Sequence, residues 1–258
     1  MKTIYRILRV LAISIIKISA FTVFNVRAVS TKQIPSLILV DRDGVVNEDV
    51  GAPGVLHSSQ LILTPGAGRA LGRLQRAGCN IALVTNQSCV GKGLITEEQL
   101  HEIHGKLQTM LIEEDVDAKL DHIFYCTSLR HSGDYRMKPN AGMIEEACNL
   151  FDTDPVDCII IGDAIRDLQA AASGGVPLRV LVETGYGKGM MHGIDAPPVD
   201  GVVELIDEQF CNNIQKPLGL DEDEDAKPSI LPFVYAKNLN SAVDWMLGSY
   251  VASYTDVS

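Results

Sequence analysis

The sequence lacks three features that would each point to a particular environment. Its six cysteines include no C-x-x-C pair, so we expect free thiols in a reducing compartment rather than a disulfide framework or a zinc knuckle. It contains no internal repeat, which argues against a solenoid. The apolar stretch Val10–Phe24 is broken by Lys17, so it is too short an uninterrupted run to cross a membrane. We therefore predict no membrane span.

Positive charge is also scarce outside the first residues. The chain of 258 residues carries a net charge of −11, and because its first 40 residues contribute +6, the rest carries −17. An acidic body argues against binding to nucleic-acid backbones. It does not exclude a phosphorylated metabolite, which a metal ion and a few placed cations can hold. The length suits one sizeable α/β domain with additions.

Residues 1–35 differ from the rest in composition. Basic residues alternate with apolar and Ser/Thr residues, and no acid is present. This composition predicts a targeting presequence, with an organelle (plastid or mitochondrion) favoured, and leaves a secretory signal peptide and a structured N-terminal helix as alternatives. Without a cleaved presequence the protein would be cytoplasmic.

The pattern of the central chain begins with a short buried strand that ends in carboxylates. Leu37–Val40 is a run of four apolar residues, followed by Asp41, Asp43 and the turn-forming Gly44. In open α/β sheets, ligands bind outside the carboxyl ends of the strands. Asp-x-Asp-Gly alone is equally typical of an Asx-rich turn, so the residues downstream must decide.

Strands and helices alternate after this segment, which predicts a parallel, doubly wound sheet in a three-layer α/β/α, Rossmann-like arrangement. The domain is predicted over residues 36–190, and residues 191–258 are expected to supply an acidic loop plus a last strand and helix that return to the core. The acidic run at 221–225 is interpreted as a solvated loop. The predicted strands are 37–40, 80–84, 120–125, 158–161, 179–183 and 233–236, and the predicted helices are 66–78, one capped by Thr96 with Gln99, 141–151, 168–172 and 240–250.

Three more strand ends carry polar side chains of complementary chemistry. Thr85 ends the second strand, Lys138 follows the third, and Asp163 and Asp167 follow the fourth. A parallel sheet brings all of these to one edge, which suits phosphoryl transfer. Carboxylate and carbonyl oxygens bind Mg²⁺, a cation neutralises phosphoryl oxygens, and a carboxylate can act as nucleophile or as general acid and base.

These residues, in this order, resemble the four motifs of the haloacid dehalogenase phosphatase superfamily. Asp41–Val45 resembles the first motif, Val84–Asn86 the second, Lys138-Pro139 the third, and Gly162-Asp163 with Asp167 the fourth. Finer features are similar to the heptose-bisphosphate and histidinol-phosphate phosphatase branch.

The resemblance implies a role for each matching residue. Asp41 would be the nucleophile and Asp43 the general acid/base, and Mg²⁺ would be held by Asp41, the main-chain carbonyl of Asp43, and Asp163, with Asp167 behind them. The phosphate and substrate would be bound by the remaining matching residues, which are Thr85, Asn86, Lys138, Asn47 and Arg136.

The sequence departs from that branch at three places. Relatives often bind zinc after the third strand through four Cys and His ligands, but here Cys126 is the remaining cysteine of that set, so no zinc is expected. An arginine usually precedes the third-motif lysine directly, whereas Met137 stands here with Arg136 one residue earlier. A lysine often follows the fourth-motif aspartate, where this chain has Ala164. These changes weaken the inference that this chain shares the heptose substrate, but they do not weaken the inference of phosphatase activity.

We therefore predict a Mg²⁺-dependent phosphatase. We expect no large cap domain, because the 52 residues between Thr85 and Lys138 are filled by one helix, one strand and loops. The expected substrate is a small phosphorylated metabolite, such as a sugar bisphosphate, and the expected state is a monomer or weak oligomer without a nucleic-acid partner. A histidinol-phosphate or polynucleotide 3′-phosphatase is the alternative enzyme. A catalytically inactive phosphate-binding module is the non-enzymatic alternative, against which the presence of both Asp41 and Asp43 argues.

His101 and His104, three residues apart on one helix, are expected to be a solvated or half-buried pair rather than a metal site.

Overall fold

The structure, a computed structural model, describes residues 34–187, 202–206 and 229–255. The predicted presequence lies almost entirely outside this part of the chain, and the acidic run at 221–225 lies wholly outside it. Among the helices of the described residues, none combines the length and the apolar character that a membrane crossing requires.

The described residues form one seven-stranded sheet in the order β3-β2-β1-β4-β5-β7-β6. Neighbouring strands are parallel except at one edge, where β6 runs antiparallel to β7. The strands are β1 (Leu37–Val40), β2 (Asn80–Asn86), β3 (His122–Cys126), β4 (Cys158–Gly162), β5 (Leu178–Val182), β6 (Val202–Ile206) and β7 (Phe233–Ala236).

Helices cover both faces of this sheet. The connections β1–β2, β2–β3, β3–β4 and β4–β5 each carry at least one helix across a face, as parallel pairing requires. The helices are α1 (Ala67–Arg76), α2 (Ser88–Gly91), α3 (Glu97–Glu114), α4 (Gly142–Leu150), α5 (Ile165–Ser173) and α6 (Leu239–Thr255). The predicted three-layer α/β fold is thereby confirmed.

Two hydrophobic cores lie on opposite faces of the sheet because successive strand residues point to opposite sides. Ile38 and Val40 of β1 pack into the core that contains the apolar sides of α1, α3 and the start of α6. Leu37 and Leu39 pack into the other core, with α4 and α5. All four residues of β1 are fully buried, so this strand lies at the centre of both cores.

The register of the central strands brings their carboxyl ends together. Val40 is paired with Leu83 of β2 on one side and with Ile161 of β4 on the other. The residues that follow these pairs, Asp41, Val84-Thr85 and Gly162-Asp163, therefore emerge at the same edge. The prediction that the polar strand ends meet is confirmed by this arrangement.

The structure differs from the sequence-based expectation at the sheet edge and in the segment after β2. The strand β6 was not predicted, and because it is antiparallel the sheet is mixed rather than wholly parallel. The short helix α2 was also not predicted. The segment between Thr85 and Lys138, described throughout, consists of α2, α3, β3 and loops, and it forms no separate cap domain.

The start of α3 has the capping box that the sequence predicts. The Thr96 side chain accepts a hydrogen bond from the backbone N–H of Gln99, and the Gln99 side chain accepts one from the backbone N–H of Thr96. This arrangement satisfies two donors that a helix N-terminus otherwise leaves unpaired.

Replacing this cap should destabilise the fold without changing the active site. We expect Thr96→Ala to lower the free energy of unfolding by about 1 kcal/mol, the usual effect of losing a side-chain N-cap. Urea unfolding followed by circular dichroism would measure it. Thr109→Ala, at a solvent-exposed position in the middle of the same helix, is the matched control and should not lower the free energy of unfolding. An unchanged unfolding free energy in Thr96→Ala would contradict the capping role.

Candidate active site

A buried lysine connects the strand ends at the site. Lys138 Nζ lies 2.9 Å from Asp41 Oδ1 and 2.7 Å from Asp167 Oδ1, and it donates to the Val84 carbonyl oxygen at 2.6 Å. Burial lowers the pKa of Lys138, but attraction by Asp167 and Asp41 outweighs it and leaves the pKa above its usual value. The ammonium group is therefore charged, and it holds together Asp41 after β1, Val84 in β2 and Asp167 in α5.

Asp41 occupies the position directly after β1. Its backbone N–H donates to the Ile161 carbonyl, and its Oδ1 accepts the backbone N–H of Arg42 at 2.8 Å. The side chain is almost fully buried. Burial raises the pKa of Asp41 and Lys138 opposes that shift, with a net increase. A carboxylate in this setting is poorly solvated, a condition that favours nucleophilic attack once a cation stabilises its charged form.

Asp163 lies after β4 and is fully buried. Its Oδ2 accepts the backbone N–H of Tyr186 at 2.8 Å, but its Oδ1 has no hydrogen-bond partner among the described residues. Burial, with repulsion from Asp41 and Asp167, raises the pKa of Asp163 to about 8. A buried carboxylate oxygen without a partner is costly, so this site is deficient in positive charge.

Two glycines allow the backbone to approach Asp163 closely. Gly44 has φ +80° and Gly185 has φ +58°, and a Cβ at either position would lie within 2.2 Å or 2.0 Å of Asp163 Oδ2. Only glycine fits both the left-handed backbone and the space. The Thr184 hydroxyl donates to the Gly44 carbonyl, so the turn after β1 and the turn after β5 enclose Asp163.

Three carboxylates lie close enough together to hold a metal ion. Asp41, Asp163 and Asp167 each present an oxygen, and these atoms all lie within 4.8 Å of one another. Both oxygens of Asp167 are already engaged, Oδ1 by Lys138 and Oδ2 by the Ala164 N–H at 3.0 Å, whereas Asp163 Oδ1 has no partner in the described part of the chain. Hard oxygen donors with surplus negative charge fit Mg²⁺. The residues present therefore fit the metal that the family resemblance implies.

Three side chains bind the carboxylate of Asp43. Arg42 donates to both of its oxygens, with Nη2 at 3.0 Å from Oδ1 and 2.9 Å from Oδ2. Asn47 Nδ2 donates to Oδ1 and Gln87 Nε2 to Oδ2, each at 3.0 Å. Burial opposes ionisation of Asp43, but Arg42 and the two amides hold its pKa below the usual value. Asp43 is therefore ionised in this state.

Arg42 itself is fully buried and is held from the far side by a histidine. Its Nη1 lies 3.3 Å from His104 Nε2, so His104 must accept there and carry its proton on Nδ1. Burial and the positive charge of Arg42 lower the pKa of His104 to about 3. His101, in contrast, is exposed and contacts the Tyr125 hydroxyl at 2.7 Å. The two histidines thus face different partners, and neither belongs to a metal-binding cluster within the part of the chain that the structure describes.

The two residues that end β2 have different partners. The Thr85 hydroxyl accepts a hydrogen bond from Gln87 Nε2 at 2.9 Å, which leaves its own hydrogen free to be donated. The Asn86 side chain is bound to the main chain of Lys138, donating to its carbonyl at 2.9 Å and accepting its N–H at 3.0 Å. Asn86 therefore fixes the segment that carries Lys138.

Arg136, a predicted substrate-binding residue, pairs with an acid on the following helix. Its Nε and Nη2 donate to the two carboxylate oxygens of Glu146 at 2.8 and 3.1 Å. This pair was not anticipated, because Glu146 lies ten residues further along the chain. Contact of Arg136 with a substrate stays a prediction.

Hydrogen bonds order the loop that follows β3. Asp134 Oδ2 accepts from the Ser128 hydroxyl and from Cys126 Sγ, the latter at 3.5 Å. Asp134 Oδ1 accepts the backbone N–H of Arg136 at 2.8 Å. One carboxylate thus ties the end of β3 to the segment that leads to Lys138.

The sequence did not identify every residue at the site. Gln87 directly follows the second motif, but the sequence does not predict its contacts with Asp43 and Thr85. His104 was recognised only as half of a histidine pair. For Tyr186 no local signal existed, because its backbone N–H meets Asp163 through the packing of the turn after β5 against the turn after β1.

Comparison with known proteins agrees with this geometry. The family model of haloacid dehalogenase-like hydrolases matches residues 32–175. The D-glycero-beta-D-manno-heptose-1,7-bisphosphate 7-phosphatase of Haemophilus ducreyi is 36% identical over 154 residues, which cover 57% of this chain and 83% of that protein. The protein with the same name from Haemophilus influenzae is 35% identical, over 65% of this chain and 93% of its own length.

A solved structure shows the same similarity in three dimensions. The D,D-heptose 1,7-bisphosphate phosphatase of B. bronchiseptica, complexed with magnesium and phosphate, superposes with a TM-score of 0.62 at 26% identity. The match covers 83% of this chain and 99% of that one.

The chain belongs to the haloacid dehalogenase-like hydrolase family, because the family model matches more than half of it. Within that family it is a phosphatase, as its named relatives and the residues at its strand ends both indicate.

The buried histidine should make stability depend on pH. Below its usual pKa of 6.5, an unfolded His104 takes up a proton that the folded one, with a pKa of about 3, does not. The folded state therefore loses stability as the pH falls through this range. Between pH 7 and pH 5 we expect wild type to lose up to about 2 kcal/mol more than His104→Gln, in which the amide oxygen can still accept from Arg42.

Urea unfolding at the two pH values would measure this difference. The exposed His101→Gln is the matched control and should keep the pH dependence of the wild type. Equal slopes in wild type and His104→Gln would show that His104 is not held neutral in the fold.

Proposed function

We propose that this protein is a Mg²⁺-dependent phosphatase that hydrolyses a sugar bisphosphate, such as D-glycero-D-manno-heptose 1,7-bisphosphate, through an aspartyl-phosphate intermediate. The observation that carries the proposal is the cluster of Asp41, Asp163, Asp167 and Lys138 in which the buried Asp163 Oδ1 has no partner among the described residues. The choice of substrate is supported by the names of the relatives.

In the first step, a carboxylate oxygen of Asp41 attacks the phosphorus of the ester. The bond between phosphorus and the sugar oxygen breaks, and the electron pair stays on that oxygen, which takes a proton from the carboxyl group of Asp43. Asp43 is ionised in the free protein, so it must first gain a proton. The negative charge of an arriving phosphate favours this protonation.

In the second step, the carboxylate of Asp43 accepts a proton from water. The water oxygen attacks the phosphorus of the aspartyl phosphate, the bond to Asp41 breaks, and phosphate leaves as the Asp41 carboxylate is restored. Lys138, whose ammonium group is already bound to Asp41, Asp167 and the Val84 carbonyl, would stabilise the phosphoryl oxygens by its charge, and the Thr85 hydroxyl would donate a hydrogen bond to them. Mg²⁺, held by Asp41, the carbonyl of Asp43 and Asp163, would neutralise phosphoryl charge and position the group.

Loss of the nucleophile should abolish turnover. We expect Asp41→Asn to release phosphate at less than about a hundredth of the wild-type rate, since the amide is nearly isosteric but cannot form the acyl phosphate. A phosphate-release assay with saturating substrate and Mg²⁺ would measure this. Asp244→Asn, on an exposed position of α6, is the matched control and should keep full activity. Activity above that level in a folded Asp41→Asn protein would require another nucleophile.

Metal dependence should separate magnesium from zinc. We expect a chelator to abolish activity, added Mg²⁺ to restore it, and elemental analysis of the dialysed protein to find no stoichiometric zinc. A structural zinc ion is normally held by four protein ligands. From the end of β3 to Lys138, Cys126 is the one cysteine, and its Sγ is already hydrogen-bonded to Asp134. One zinc ion per chain retained through dialysis would contradict this prediction.

The substrate is best identified by a comparative screen. Heptose 1,7-bisphosphate, histidinol phosphate and an oligonucleotide with a 3′-phosphate would be compared by kcat/KM, with p-nitrophenyl phosphate as a general measure of activity. The proposal requires the bisphosphate to be preferred. We further propose that residues 1–35 are a presequence that directs the protein to an organelle, which N-terminal sequencing of the mature protein would test.

A further inference from the structure

A bisphosphate substrate carries a second anionic group, and the cations already described are largely committed. Lys138 is bound to two carboxylates and a carbonyl. Arg42 is fully buried against Asp43 and His104. Arg136 is held by both oxygens of Glu146. A second phosphate therefore needs a different partner.

Arg166 is a cation that lies next to the site and has no such commitment to any residue that the structure describes. It belongs to the first turn of α5, three residues after Asp163. Within residues 34–187 and 229–248 its guanidinium forms no hydrogen bond and no ion pair. Its carbon Cζ lies 5.0 Å from the centre of the Tyr186 ring, a distance at which a cation is attracted to an aromatic face.

Tyr186 links this guanidinium to the metal-binding carboxylate. The backbone N–H of Tyr186 donates to Asp163 Oδ2 at 2.8 Å, so the ring that supports Arg166 starts from the residue next to Gly185 in the wall around Asp163. About half of the Tyr186 surface, 52%, is exposed. The stacked pair thus lies where the wall of the site meets solvent.

The electrostatics of Arg166 agree with this location. Burial lowers the pKa of the guanidinium, but the charges of Asp167, Asp41 and Asp163 outweigh burial and raise it. Arg166 is therefore positively charged and lies within the field of all three carboxylates, although no carboxylate oxygen of the described residues pairs with it.

We propose that Arg166, supported by the Tyr186 ring, binds the second phosphate group of a bisphosphate substrate and so makes the enzyme prefer bisphosphates to monophosphates. The planar guanidinium offers several N–H donors in a geometry that matches phosphate oxygens. The inference rests on the proposed function.

The test compares substrates that differ only in the second phosphate. The values of kcat/KM are measured for heptose 1,7-bisphosphate and for the same sugar phosphorylated at carbon 7 alone, in wild type and in Arg166→Met. Methionine keeps an unbranched apolar stem against Tyr186 and removes the charge. We expect Arg166→Met to lower kcat/KM for the bisphosphate about 10- to 100-fold, the range for a lost hydrogen bond to a charged group, and to change that for the monophosphate less than about threefold.

Two further variants make the result specific. Arg166→Lys keeps the charge and should recover part of the preference. Arg73→Met, on the exposed side of α1 and paired with Asp244, is the matched control for the loss of one arginine and should leave both values unchanged. An equal loss for both substrates in Arg166→Met would overturn the inference. A lower Mg²⁺ concentration at half-maximal activity in that variant would then show that Arg166 balances the charge of the carboxylates.

The remaining outcomes separate this inference from the proposed function. A preference for the bisphosphate that survives in Arg166→Met would overturn the assignment to Arg166. Its loss in Arg136→Met would instead assign the second phosphate to Arg136. A wild-type enzyme that cleaves p-nitrophenyl phosphate but no bisphosphate would overturn the proposed substrate and this inference together.

Discussion

The structure of the site depends on one buried ammonium group. Lys138 Nζ contacts Asp41 after β1, Asp167 in α5 and the Val84 carbonyl in β2, so three segments far apart in the sequence meet at one atom. Removing one partner of a buried ion pair commonly costs about 3–5 kcal/mol, because the other charge stays buried without compensation. The same group that neutralises the carboxylates therefore also fixes their positions. Asn86 adds to this by bonding the main chain of Lys138 in both directions.

Charge at the site is arranged in two zones of opposite balance. Around Asp163 negative charge is in excess: its Oδ1 finds no partner among the residues that the structure describes, and its pKa is raised to about 8. Around Asp43 positive charge and amide donors dominate, and the pKa is lowered despite burial. The environments of Asp163 and Asp43 thus differ in kind: the first favours a bound cation, and the second keeps its carboxylate ionised without one.

The loop before Lys138 shows how a segment can keep its shape by other interactions. Asp134 receives hydrogen bonds from Ser128, Cys126 and the Arg136 backbone, and Arg136 pairs with Glu146 on α4. A carboxylate that accepts several hydrogen bonds joins nearby chain segments as a metal ion would, but each bond contributes only about 1 kcal/mol. This loop leads directly to Lys138, so its order affects the position of the ammonium group.

The sequence by itself determined the layer architecture, the central strands and the positions of Asp41, Thr85, Lys138 and Asp163 at strand ends. These follow from local patterns, since apolar runs form buried strands and a parallel sheet gathers their carboxyl ends at one edge. Only the tertiary structure decided that Arg136 pairs with Glu146, that His104 supports Arg42 and that Tyr186 binds Asp163. It also decided that β6 runs antiparallel at the edge. Such contacts join segments that pack together without any periodic signal, so they depend on distances and orientations that arise once the chain has folded.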